Sequence, residues 1–288
     1  MSRWFVLLQH SLPKRGLSDL VGWLTRLRAG PLTQIAIRLF IRGFGVDMTE
    51  AADPEPASYV TFNAFFTRAL RSDARPHARE PAAVLCPADG KVSECGRLDG
   101  ARLVQAKGID YTLTALFDGD ASLAASFEHG DFCTIYLAPY DYHRVHMPLA
   151  GQLEALRYVP GALFSVNAAT AAALPGLFCR NERVVTVFRA GEERFALVMV
   201  GALNVGSIEL TVPRGQTFAN RPHARWEAGV THRPDGQPTL DRGAEYGRFN
   251  MGSTVILLAP PGMLRLDDAV VPGRTVRVGQ ALGWRTGG

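Results

Sequence analysis

A serine that follows a glycine can attack the chain it belongs to. At Gly252-Ser253-Thr254 the glycine carries no Cβ to block approach of the Ser253 Oγ to its carbonyl, and it tolerates the backbone distortion such an attack needs. A hydroxyl becomes a nucleophile when an imidazole takes its proton and a carboxylate orients the imidazole. The chain offers Asp89 in Pro87-Ala88-Asp89-Gly90, and two imidazoles, His143 and His146, in Tyr142-His143-Arg144-Val145-His146-Met147-Pro148. Each piece also has a plain structural reading. Gly-Ser-Thr marks many loop-to-strand boundaries, and here it separates the polar stretch 241–250 from the apolar run 255–258. Asp-Gly is a hairpin signal. Two histidines this close suggest a metal, yet no third and fourth ligand of suitable spacing accompanies them, so none is expected. Met251-Gly252-Ser253-Thr254-Val255 is not the G-x-S-x-G nucleophile elbow. The residues alone leave three functions open: self-attack at Gly252-Ser253, a membrane-associated serine hydrolase using Ser253, His146 and Asp89, and a lipid-binding β module without catalysis.

Elements that must hold these residues can be read from the pattern around them. Beyond Glu80, short apolar or alternating runs at 132–137, 184–188, 195–200, 207–212 and 254–258 are divided by glycine, proline and acidic turn residues, which predicts a β-rich body. Residues 166–173 predict a helical turn. Thr61 predicts the cap of a short helix through Phe62, Phe65, Phe66 and Leu70, ending before Arg75-Pro76. Residues 51–80 therefore read as a linker with a short helix. The fold class expected is α+β: N-terminal amphipathic helices on a β-rich catalytic domain over 81–288, with Ser253 opening a strand.

The first 50 residues differ in character. Between Met1 and Gly45 seven basic residues face one acid, Asp19, beside Trp4, Phe5, Trp23, Phe40 and Phe44. Leu17, Leu20, Val21, Leu24 and Leu27 recur at helical spacing up to Gly30-Pro31, and Leu32, Ile35, Ala36, Leu39 and Phe40 repeat the pattern. No apolar stretch reaches the roughly 18–20 residues that cross a bilayer. A signal peptide is not expected either, since the Trp4 to Leu8 cluster is short and broken at Gln9-His10. The pattern fits an anchor lying in the membrane interface, and it fits equally a helical pair packed on the protein's own core.

With 288 residues, 47% of them apolar and 20% charged, the chain is long enough for a large core. A net charge of +4, with no basic stripe interleaved with aromatics, argues against a nucleic-acid partner. Cys86, Cys95, Cys133 and Cys179 form no C-x-x-C pair and read as reduced thiols of a cytoplasm-facing protein.

Taken in order, several stretches resemble the phosphatidylserine decarboxylase proenzyme family along nearly the whole chain. They are Phe62-Asn63-Ala64-Phe65-Phe66-Thr67-Arg68, Pro87-Ala88-Asp89-Gly90, the stretch 142–148, Phe164-Ser165-Val166-Asn167, Asn181-Glu182-Arg183, Val205-Gly206-Ser207-Ile208 and Gly252-Ser253-Thr254. Met251 departs from the leucine expected before Gly-Ser-Thr, a soft replacement of similar size. The resemblance implies a precursor that cuts itself between Gly252 and Ser253 into chains 1–252 and 253–288, which stay associated. Asp89 and His146 would form the relay with Ser253. Ser253 would become a pyruvoyl group, and a Schiff base between that ketone and the amine of phosphatidylserine would carry the decarboxylation to phosphatidylethanolamine without pyridoxal phosphate or a metal. His143 is the candidate proton donor, and Phe164, Ser165 and Asn167 are candidate substrate contacts. The resemblance also favours the anchor reading of the N-terminal helices, on the cytoplasmic side of a cell membrane. A homodimer is compatible with it.

Overall fold

The computed structural model describes residues 13–106, 108–203, 207–212, 216–218, 229–234, 236–250 and 253–286, without the side chains of Arg15 and Gln216. The Trp4 to Leu8 cluster, Met251 and Gly252 lie outside the described residues. Both amphipathic helices form: α1 (Lys14–Leu24) and α2 (Pro31–Phe44). Pro31 stands at the start of α2, where its fixed φ suits a first turn and its missing N–H costs nothing. Gly45 ends the helix in the left-handed region at φ 66, its N–H bonded to the Ile41 carbonyl. Thr61 caps α3 (Phe62–Phe66) through the Ala64 N–H, as its position predicts. The helix is shorter than the pattern suggests. Thr67 turns its hydroxyl back to the Asn63 carbonyl, and Leu70 leaves to pair with Ala51. Ile37, Val46, Tyr59 and Phe65 form a small core of their own, with Phe40 and Phe62 packed on it.

The β body follows. Strands β1 (Ala83–Leu85), β2 (Gly90–Arg97), β3 (Arg102–Ala106) and β4 (Ile109–Thr112) precede the short helices α4 (Leu113–Leu116) and α5 (Ala121–Ala125). Next come β5 (Asp131–Leu137), β6 (Arg144–His146), β7 (Gly151–Val159), helices α6 (Ala168–Ala171) and α7 (Leu177–Arg180), and the hairpin β8 (Arg183–Ala190) and β9 (Glu193–Gly201). Strands β10 (Ile208–Leu210), β11 (Gln216–Phe218), β12 (Thr231–His232), β13 (Thr239–Leu240) and β14 (Glu245–Phe249) lead to β15 (Ser253–Ala259). Three short strands close the chain: β16 (Leu264–Leu266), β17 (Thr275–Val276) and β18 (Ala281–Arg285).

The main sheet is antiparallel, in the order β12-β7-β8-β9-β15-β5-β2-β17, with β13 also on β7. A four-stranded sheet, β11-β10-β14-β6, and a three-stranded one, β1-β18-β16, pack with it. Because β15 lies between β9 and β5, every one of its residues is buried. Side chains alternate across a strand. Val255, Leu257 and Ala259 enter the core shared with Val145, Met147, Tyr246 and Phe249, whereas Ile256 and Leu258 enter the core shared with Phe117, Phe127, Phe164 and Phe178. That double covering explains the unbroken apolar run after Ser253. Each of these side chains other than Ala259 contributes about 1.5–3 kcal/mol on burial.

Asp89-Gly90 is not a hairpin turn, although the dipeptide signals one. Gly90 opens β2, and β1 and β2 belong to different sheets. A Cβ at Gly90 would lie 2.3 Å from the Tyr136 carbonyl oxygen, so the glycine is there to let two backbones meet.

Candidate active site

Ser253 is the first residue of β15, held in register opposite Leu137 on one side and Gly201 on the other. It is fully buried, and its Oγ has no hydrogen-bond partner among the described residues. An orphaned buried hydroxyl costs about 1–3 kcal/mol, so its presence at the head of a central strand calls for a chemical reason.

His143 is brought toward this point by two connections. The Phe249 N–H bonds to the His143 carbonyl, and Phe249 precedes Ser253 by a short stretch of chain. On the other side, the turn after Leu137 is closed by the Asp141 carboxylate accepting the Ala138 N–H at 2.7 Å, and the Asp141 carbonyl receives the His143 ring. That contact, 2.8 Å from Nδ1 to a carbonyl oxygen, fixes the tautomer: Nδ1 carries the proton and Nε2 a lone pair. The ring lies against Phe66, 4.1 Å between centroids, and Nε2 is buried without a partner. Burial lowers the His143 pKa to about 3, with the nearby Arg68 acting in the same direction and the Asp141 carbonyl against it. At neutral pH this imidazole is a base with a free lone pair.

His146 sits at the end of β6, its N–H bonded to the Pro87 carbonyl, which sets it beside the Asp89 loop. Its Nδ1 donates to the Gly243 carbonyl at 2.8 Å, leaving Nε2 to accept from the Tyr142 hydroxyl at 3.2 Å. Burial also holds His146 below the usual imidazole range. Asp89 is occupied elsewhere: Arg75 donates to it from Nε, 3.0 Å from each oxygen, and from Nη2 at 2.5 Å, while the Val278 N–H adds a bond at 2.8 Å. Among the described residues no hydrogen bond joins Asp89 to His146, or either to Ser253. The structure links His146 to the Asp89 loop through the Pro87 carbonyl, and no contact among the described residues joins either of them to Ser253.

The loop at 164–167 meets the serine strand through a residue whose part the sequence did not reveal. The buried Asn181 amide accepts from the Phe164 N–H and donates to the carbonyls of Phe164 and Gly201, at 3.1, 2.8 and 2.9 Å. Since Gly201 is the partner of Ser253, one side chain fastens the loop to the strand beside the nucleophile. Gly161 lies so close to this segment that a Cβ there would stand 2.5 Å from the Asn181 carbonyl carbon and the Glu182 nitrogen. Phe164 is buried under the ammonium of Lys14, 4.3 Å above its ring, and Ser165 follows it at partial burial. Asn167 caps α6, its Oδ1 accepting the Thr170 N–H and hydroxyl, so that oxygen is engaged within the loop.

A second network ties the approach to Ser253 to the N-terminal helices. The Asn250 amide accepts from Asn63 and donates to the Ser207 hydroxyl, and that hydroxyl also receives Arg26. Spacing in the sequence gives no hint of Asn181, Asn63 or Asn250. Asn63 and Asn181 fall in stretches that carry the family resemblance, which marks the segments without revealing these bonds.

Among the described residues no three of His, Cys, Asp and Glu are grouped to hold a metal ion, and no helix is long and apolar enough to cross a membrane. The cysteines are free thiols.

A family model described as phosphatidylserine decarboxylase matches residues 62–284, and a second, described as PSD, matches residues 4–45. The chain is 50% identical over 284 residues to a phosphatidylserine decarboxylase proenzyme of Chromobacterium violaceum, covering 97% of this chain and 98% of that one. It is 49% identical over 288 residues to the protein of the same name from Verminephrobacter eiseniae, 98% of each chain being covered. Against the one from Shewanella frigidimarina the identity is 48% over 283 residues, 96% of each.

Proposed function

The chain belongs to the phosphatidylserine decarboxylase family, and from that premise we propose that it is a precursor which cuts itself before Ser253 and then converts phosphatidylserine to phosphatidylethanolamine with the altered residue. The observation that carries the reading is the Ser253 hydroxyl, buried and without a partner at the head of β15. Full burial favours attack within the chain over attack on an external ester, which the serine-hydrolase alternative requires.

In this reading His146, neutral and with its Nε2 lone pair held only by Tyr142, takes the proton of Ser253 as Oγ attacks the Gly252 carbonyl. Asp89, paired with Arg75, would have to be released toward His146 to complete the relay. The peptide becomes an ester. Loss of the Ser253 Cα proton then expels the new carboxylate of Gly252 and leaves an unsaturated residue, which takes up water and releases ammonia to leave a ketone. The buried, unpartnered position of residue 253 fits such a group. When formed, the ketone condenses with the substrate amine and receives the electrons of the broken bond to the carboxyl group.

His143 has a proton-holding part. Burial makes it a weak base whose protonated form is a strong acid, and in this reading it delivers a proton from Nε2 to the α-carbon after carbon dioxide departs. Phe164 and Ser165, braced by Asn181, face the substrate from beside the strand. The division into 1–50, 51–80 and 81–288 then has a functional sense. Helices α1 and α2 expose Trp23, Leu32, Ile35, Leu39 and Phe44 beside arginines, as an interfacial anchor would, while Lys14 and Arg26 contact Phe164 and Ser207. A membrane surface would hold the lipid headgroup at the depth of the site, on the cytoplasmic face.

Intact-mass measurement of the purified protein tests the reading. The expected result is two chains, 1–252 and 253–288, the smaller with a ketone in place of its amino terminus, and a single uncut chain for Ser253→Ala. An intact wild-type chain that is active on lipid esters would sink it.

A further inference from the structure

Beside Asp89, and away from the cores, a cavity of about 240 Å³ opens at the foot of α2, where Gly45 forms part of its wall. Ser253, His143, His146 and Phe164 do not line it. Its charges sort into two groups. Glu50 bonds Arg75 and Arg277 at 2.7 and 2.8 Å, and Asp89 bonds Arg75, so two carboxylates and two guanidinium groups neutralise one another. Asp47 stands exposed at the rim, its Oδ1 taking the Thr49 N–H and hydroxyl. Asp141 is committed to the Ala138 N–H, and burial lifts its pKa to about 6, which makes it the acid most readily neutralised.

Arg68 is left over. It is 6% exposed, lines the cavity, and has its guanidinium 5.4 Å from the Phe65 ring centroid. Its Nε is enclosed without a hydrogen-bond partner, and no carboxylate of the described residues forms an ion pair with it. A guanidinium is always charged; Asp89 and Glu50 act on this one only at a distance, and its enclosed Nε favours a ligand that brings acceptors into the cavity. We propose that Arg68 is the receptor for a phosphate group in this cavity. The fork of a guanidinium matches two phosphate oxygens. The place fits a lipid headgroup: the cavity lies next to the end of a helix that exposes Leu39 and Phe44, at the level where an interfacial helix meets phosphates. Its volume takes a headgroup and no acyl chain. The inference goes beyond the decarboxylase reading and does not rest on it, since residue 253 does not line the cavity.

The signature is a residue kept at the expense of stability. Melting temperature of the full chain is followed against inorganic phosphate, with sodium chloride matching the ionic strength. The wild type should show a saturable rise of roughly 2–4 °C at phosphate far above its Kd. Arg68→Met, which keeps the apolar stem and removes the charge, should melt higher than wild type without phosphate and not respond to it. Arg68→Lys should keep part of the response. In a second arm, binding to phosphatidylglycerol vesicles is compared with phosphatidylcholine vesicles. If the phosphate is lipid-borne, Arg68→Met weakens the former at least threefold and free phosphate competes. If vesicle binding ignores both, the site takes free phosphate. A wild type that responds to phosphate no more than to sodium chloride, or an Arg68→Met protein that responds as wild type does, overturns the proposal. Failure here is separate from failure of the decarboxylase reading, which the mass of the self-cut chains reports.

Discussion

Arg75 grips Asp89 with two nitrogens, Nε at 3.0 Å from both oxygens and Nη2 at 2.5 Å, and both side chains are nearly buried. The acid expected to serve His146 is thus held first by a cation. Arg75→Ala leaves that carboxylate buried and uncompensated, along with part of the Glu50 pairing. Breaking a buried pair from one side costs about 3–5 kcal/mol, so the melting temperature should fall by several degrees and self-cleavage should slow. Arg75→Lys should recover only part of both, because an ammonium cannot reproduce the fork.

The Tyr142 hydroxyl donates to the nitrogen of His146 that the proposed self-cleavage uses as base. Tyr142→Phe removes that donor, at a cost of about 0.5–1.5 kcal/mol in stability, and frees the lone pair. The precursor should therefore mature at least as fast as wild type, measured by the appearance of the 253–288 chain with time. Maturation slowed tenfold would mean that the tyrosine helps and that His146 is oriented through it.

Asn181→Ala would take its amide from the Phe164 N–H and from the Phe164 and Gly201 carbonyls, of which the Phe164 carbonyl keeps the Leu203 N–H. At about 0.5–1.5 kcal/mol per lost hydrogen bond, and more for a group left orphaned, a loss of about 2 kcal/mol or more in denaturant unfolding is expected. In protein that still matures, KM for phosphatidylserine should rise more than kcat falls, since the loop bearing Phe164 and Ser165 loosens while residue 253 stays in its strand.

His143 is held neutral by burial, its pKa moved from 6.5 to about 3. The unfolded chain takes up a proton near pH 6.5 that the folded chain refuses until about pH 3. The resulting stability is complete above pH 6.5 and is lost as pH falls through that window, by up to several kcal/mol, with His146 adding in the same direction. Thermal melts from pH 7 to 4 should show this decline, and His143→Gln should flatten it.

Leu32, Ile35 and Leu39 project from α2 into solvent, 70, 54 and 65% exposed. Leu32→Glu with Leu39→Glu removes apolar area and adds like charge against anionic lipid, so vesicle cosedimentation should fall at least tenfold. Self-cleavage should continue at the wild-type rate, because those side chains are largely exposed and belong to neither core of the β body.

Much of this was legible in the sequence where local rules act alone. Pro31 and Gly45 bound a helix by their own backbone preferences, Thr61 caps another, and the apolar run after Ser253 is a strand buried on both faces. Asp89-Gly90 misled, since the same dipeptide that makes a hairpin also permits the close approach to Tyr136. The pairing of Asp89 with Arg75, the bridge made by Asn181 and the isolation of Arg68 join residues distant in the chain or depend on what is absent around a side chain. Neither spacing nor composition records such facts. The tautomers of His143 and His146 belong to the same class, because they follow from the carbonyls of Asp141 and Gly243.

The central place of β15 has a consequence for what happens after maturation. Strands β15, β17 and β18 pair with β5 and β9, with β2, and with β1 respectively, all on the other side of the cut. The proposed break would release nothing while the sheet is intact, but it would change the order of the folding reaction. The precursor refolds by a unimolecular search; the matured protein, once denatured, must reassemble from two pieces that have to find each other, and the lost peptide bond does not return. Its recovery from heat or denaturant should therefore depend on protein concentration, where that of the Ser253→Ala chain does not. The proposed cut would thus make the enzyme and at the same time make its unfolding a loss that dilution renders permanent.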